Sequence, residues 1–208
     1  MTLSIYQAQQ NELVIKKSRF ICHLLPITSE DDAKLQLTQL KQQTPQATHH
    51  CFAYIDKHTV HMSDDGEPSG TAGRPILSVL QSKQLTNVLA VVIRYFGGIK
   101  LGTGGLSRAY RQSVTDTLQK ATLATLQAQQ ELNTTVNYSQ WQALQHFLPV
   151  TMIKKVTYDI NVKVTLLCEP QQIITYQRQI NNLLHTQLTF QTGPISQVLI
   201  PLKNGLMK

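Results

Sequence analysis

Two short stretches carry most of the residues that could do chemistry. "SDDGEPSGTAGRPIL" (63–77) sets Asp64, Asp65 and Glu67 ahead of Gly70, Gly73 and Arg74. "RYFGGIKLGTGGLSRAY" (94–110) threads Gly97, Gly98, Gly102, Gly104 and Gly105 among Arg94, Lys100 and Arg108, with Arg111 just beyond. Together they hold eight of the chain's ten glycines. Glycine lets a ligand approach main-chain amides without a Cβ in the way. A helix that opens on such a loop adds unpaired N–H groups and a partial positive charge. This combination is read as a site for phosphate or another anion, built from Arg74, Arg94, Gly97, Gly98, Lys100, Gly102, Gly104, Gly105, Arg108 and Arg111. The alternative is a tight strand-to-helix turn packed on a neighbouring backbone. The spacing fits neither the P-loop, because Lys100 lies between glycines, nor the dinucleotide fingerprint.

The acidic loop admits two readings. Asp64, Asp65 and Glu67 could hold Mg²⁺ bridged to phosphate oxygens. They could equally accept main-chain amides and fix the loop. His49, His50, Cys51, His58 and His61 lie close in sequence, but their spacing matches neither zinc-finger pairs nor a His-Glu-x-x-His helix, so they are read as a histidine-rich strand pair. A thiol nucleophile at Cys51 is the weaker alternative.

These residues need elements to position them. "VLAVVI" (88–93) is continuously apolar and predicts a central strand buried on both faces. It feeds the second glycine loop and then a helix over about 104–119, with Leu106, Tyr110, Val114 and Thr117 inward and Arg108 and Arg111 outward. Upstream, residues 12–27 read as one or two strands. A helix follows, opening at Ser29 and stopping before Pro45, and then a strand over "THHCFAYID". The acidic loop leads into a short helix near Arg74. After about residue 126 the texture turns rich in glutamine and threonine. The order there reads strand (128–137), helix (139–148), strand (152–159), strand (161–168), helix (170–184) and strand (186–192). That is the βαββαβ order of the ferredoxin-like unit. The expected class is α+β with two domains, 1–128 and 129–208.

Net charge is +7, which favours acidic partners such as nucleic acid or nucleotides. The excess is spread along the chain, so any basic patch must be assembled by folding. Three widely spaced cysteines do not form a disulfide framework and fit a reducing cytosol. No signal-peptide pattern opens the sequence and no apolar run approaches a membrane span, so a soluble cytoplasmic protein with no membrane partner is expected.

"HMSDDGEPSGTAGRPIL" and "VVIRYFGGIKLGTGGLSRAY" resemble the two signature stretches of the IMPACT family, in its bacterial branch. The resemblance covers residues 1–125 and extends into a C-terminal domain similar to the last domain of elongation factor G. It implies a first domain similar to domain 2 of ribosomal protein S5 and a ferredoxin-like second domain. Eukaryotic members add an N-terminal domain that binds a regulator of the amino-acid starvation response. This sequence starts at the shared domain, so that partnership is not carried over. The resemblance brings no catalytic residues. It implies association with RNA or the translation machinery. The leading expectation is a non-catalytic RNA- or ribosome-binding protein that regulates translation. The alternatives are a Mg²⁺-dependent enzyme or binder acting on a nucleotide or phosphorylated small molecule, and a protein-interaction module.

Overall fold

The computed structural model describes residues 3–202. They form two compact units. The first runs to Thr125 and takes in Pro201 and Leu202, and the second is Leu126–Ile200.

The first unit holds β1 (Leu3–Ile5), β2 (Gln9–Ile15), β3 (Ser18–Pro26), α1 (Glu30–Gln43), β4 (His49–Ile55), β5 (Val60–Ser63), α2 (Gly73–Ser82), β6 (Val88–Tyr95) and α3 (Gly102–Lys120). Five of its strands make a sheet in the order β2-β3-β6-β4-β5. β6 explains its own apolar run. Val88, Ala90 and Val92 join the core beneath α2 and α3, while Leu89, Val91 and Ile93 join the core beneath α1. A strand with helices on both faces needs apolar side chains at every position, whatever the direction of its neighbours. Here both neighbours, β3 and β4, are antiparallel to it.

Local signals set the helix ends. Ser29 caps α1, its hydroxyl accepting the Asp32 amide at 3.2 Å. α3 begins at Gly102, two residues before the expected start, so Gly104 and Gly105 lie inside its first turn. Its expected inward stripe of Leu106, Tyr110, Val114 and Thr117 is buried.

The second unit follows the order β7 (Leu123–Val136), α4 (Tyr138–Phe147), β8 (Ile153–Tyr158), β9 (Val162–Cys168), α5 (Ile173–Leu184) and β10 (Phe190–Pro201). The unit boundary falls within β7. Strand neighbours run β10-β7-β9-β8. Asn137 and Gln140 form a reciprocal capping box on α4. Trp141, Leu144 and Leu148 pack inward with Ile173 and Ile180 of α5. β10 corrects the expected strand over 186–192. It starts at Phe190 and continues through Gly193 and Pro194, a pair that reads as a turn in sequence. Proline is tolerated because β10 is an edge strand, bonded only to β7.

Candidate functional site

Strand register brings the two glycine loops together. Phe52 of β4 stands opposite Ser63 of β5 on one side and Val91 of β6 on the other, and His49 stands opposite Arg94. β5 and β6 therefore run parallel to each other and leave the sheet at the end where β4 enters. One loop leads into α2 and the other into α3, and both helices cover the same core.

The acidic loop is held from within. The Asp64 carboxylate accepts the amides of Gly70 (2.8 Å), Ala72 (2.9 Å) and Gly73 (2.8 Å). It thereby caps α2, whose N-cap residue Ala72 has no polar side chain. Asp65 accepts the His50 amide at 2.6 Å and pairs with Lys41 at 3.2 Å. Glu67 is buried and takes the Arg94 guanidinium at 2.5 Å and the Tyr110 hydroxyl at 2.8 Å. All three carboxylates are thus engaged by the protein itself. Among the described residues no group of three His, Cys, Asp or Glu side chains has the geometry to hold a metal.

The loop makes folding acid-sensitive. Burial works against the charge on Asp64, but the three amides outweigh it and lower its pKa. At Asp65 burial is likewise outweighed, by the His50 amide and Lys41. A carboxyl group that titrates lower when folded contributes stability above its unfolded pKa and loses it as pH falls through the folded value. The melting temperature should therefore fall from about pH 5 downward. Asp64→Asn should be less stable at neutral pH and show a flatter acid limb. An unchanged acid limb in the variant would contradict this role for Asp64.

Beneath the loop lies a buried polar cluster. Arg94 is 5% exposed, and its guanidinium sits over the rings of Phe20 (5.3 Å) and Phe96 (5.5 Å) while it pairs with Glu67. Arg94, grouped in sequence with the anion-binding residues, is placed inside the fold with its charge already matched. The Cys51 thiol lies 3.0 Å from the Asp64 carbonyl and 3.3 Å from the Tyr110 hydroxyl. Burial pushes its pKa up to about 12, so it stays protonated at neutral pH and is no nucleophile. His49 contacts the Asp65 carbonyl at 2.8 Å, and His61 packs beside Phe52 and Tyr54. His49 ties the acidic loop to the start of β4, while His61 stands opposite Tyr54 near the other end of that strand.

The second loop is different. Gly97 is pressed onto the β2–β3 turn: a Cβ there would come within 2.0 Å of the Lys17 carbonyl carbon. Its amide donates to the Ser18 hydroxyl at 3.1 Å, and the Phe96 amide donates to Thr48 at 3.0 Å. From Gly98 on, the chain opens. Gly102 has φ +72° and nothing within 4 Å of a Cβ, so the left-handed turn that starts α3 requires glycine for conformation and not for space. The N-terminus of α3 has no side-chain cap and no acidic residue in its first turn. Lys100 and Arg108 beside it are exposed, as is Arg111 further along α3, and an Arg108 guanidinium nitrogen lies 3.8 Å from where a Gly104 Cβ would stand. Gly105 is half-buried against Leu101. Arg74, at the start of α2, is also exposed. Neither Arg74, Lys100, Arg108 nor Arg111 has an ion-pair partner among the described residues. One helix start is thus filled by Asp64, and the other is open and ringed by cations. That arrangement can bind an anion.

Sequence reasoning missed Ser18, Thr48 and the Glu67–Tyr110 contact. Tyr110 offered one signal: a tyrosine on a helix's buried stripe needs a partner for its hydroxyl.

Both signature stretches fall within the span matched by a known family. The Impact N-terminal domain model matches residues 16–118. IMPACT family member YigZ of Escherichia coli is 43% identical over 113 residues, 52% of this chain and 55% of that one. A solved structure described as a hypothetical protein superposes with a TM-score of 0.59 at 30% identity, covering 91% of this chain and 95% of its own. IMPACT family member YvyE of Bacillus subtilis is 35% identical over 198 residues, 93% of this chain and 91% of the relative. With both signature stretches present and a relative matched along nearly its whole length, this chain belongs to the IMPACT family.

Proposed function

We propose that the protein is a non-catalytic binder of RNA or ribosomal surfaces that acts in the regulation of translation, and that the start of α3 is its phosphate contact. The observation that carries this reading is the uncapped α3 N-terminus ringed by Lys100 and Arg108, with no carboxylate in its first turn. Phe96 (47% exposed) and Ile99 (43%) precede Lys100 in the same loop. Exposed apolar surface beside cations suits a nucleic acid better than a bare inorganic ion, because bases offer faces to pack on. The second unit's βαββαβ order and β10-β7-β9-β8 arrangement support a ferredoxin-like fold. The IMPACT family resemblance implies a first domain similar to domain 2 of ribosomal protein S5, which fits the same association with translation.

The test is RNA binding across a salt series by fluorescence anisotropy. Lys100→Ala with Arg108→Ala should weaken binding similarly for different sequences and reduce the salt slope by about one for each phosphate no longer neutralised. The melting temperature should be unchanged, since both side chains are exposed and outside any ion pair. Equal affinity with an identical slope would remove the loop from RNA binding. Stabilisation by nucleotides in place of RNA would point to a phosphorylated small molecule.

A further inference from the structure

The sheet of the second unit has two unlike faces. Leu132, Val136, Val162, Val164 and Leu166 point into the core with the residues of α4 and α5. The alternate positions form the other face, and a cleft of about 670 Å³ lies along it. Its walls include Asn133, Thr135, Lys155, Thr157, Lys163 and Thr165. A register shift between Ile153 and Lys155 sets Lys155 opposite Thr165 and Thr157 opposite Lys163. The two lysines are therefore diagonal neighbours across β8 and β9, on one surface.

Charge makes this cleft one-sided. Of the unit's three carboxylates, Glu131 is paired with Lys154, and neither Asp159 nor Glu169 lines the cleft. Lys155 and Lys163 have no ion-pair partner among the described residues. The remaining walls are largely hydroxyls and side-chain amides, groups that donate to phosphate and exchange hydrogen bonds with sugar hydroxyls. Among the described residues no aromatic ring lines the cleft, so it offers no platform for base stacking.

We propose that this cleft is a second RNA site, which holds the sugar–phosphate backbone of a single strand through Lys155 and Lys163 without reading its sequence. The proposal rests on the reading that the protein binds RNA, but it uses different residues from the α3 site.

The experiment is an amide NMR titration of the full chain with a short oligouridylate. Asn133, Lys163 and Thr165 should shift, and Lys155→Ala with Lys163→Ala should abolish those shifts. In anisotropy the same double variant should reduce the salt slope by about 0.7 for each phosphate of the single strand that the lysines no longer neutralise. Lys154→Ala, a residue held by Glu131 outside the cleft, should bind like wild type. Shifts confined to Gly102–Arg108 would overturn this proposal and uphold the α3 site. Shifts confined to the sheet would do the reverse. A titration that moves neither set would overturn both, and wild-type affinity and slope in the Lys155/Lys163 variant would overturn the cleft alone.

Discussion

Glu67→Ala should destabilise the first unit by about 3–5 kcal/mol, the usual consequence of removing one partner from a buried ion pair. Arg94 would keep its charge in a site only 5% exposed, with Phe20 and Phe96 against its guanidinium and its Nε already without a partner. Tyr110 would lose the acceptor of its hydroxyl in the same step. The change should appear as faster hydrogen exchange at the β6 amides, which lie at the centre of the sheet. The ion pair itself need not be a large net stabiliser. Replacing both members with apolar residues, as in Glu67→Leu with Arg94→Met, should recover much of the loss. Wild-type β6 protection in Glu67→Ala would show that the pair does not hold the loop to the sheet.

That pair also marks the limit of what a sequence can disclose. Glu67 and Arg94 are 27 positions apart, and only the β4–β6 and β4–β5 registers bring them together. An arginine beside a glycine run has the same local signature whether it faces a ligand or a buried glutamate. By contrast, β6 was legible because burial on both faces demands an unbroken apolar run. The α3 stripe and Trp141, Leu144 and Leu148 were legible because helical spacing is a local property. The end of the chain was less legible. Gly193 and Pro194 signal a turn, and only the edge position of β10 lets a strand pass through them. The acidic loop was chemically ambiguous because a carboxylate that caps a helix and one that holds Mg²⁺ are the same residue type. The three amides on Asp64 separate those roles at that position.

Glycines pose the same ambiguity in a sharper form, and two substitutions should resolve it with opposite signs. Gly97→Ala puts a methyl group 2.0 Å from the Lys17 carbonyl carbon and 2.3 Å from the Ser18 amide nitrogen. Those are backbone atoms, so no side-chain rotation relieves the clash and the β2–β3 turn must move. A loss of about 3 kcal/mol or more is expected, at or beyond the upper end of ordinary overpacking. Gly104→Ala meets nothing nearer than the flexible end of Arg108 at 3.8 Å and lies within α3. Alanine favours a helix over glycine by up to about 1 kcal/mol, so this variant should melt at or slightly above the wild-type temperature. The space also means that Gly104→Val need not strain the turn. Its isopropyl group would stand over the open amides of the α3 start, so RNA affinity should fall while the fold persists. Thermal melts and anisotropy on the same three proteins separate the two roles. A stable Gly97→Ala would refute the packing role, and a Gly104→Val protein with wild-type RNA affinity would show that the α3 amides are not the contact.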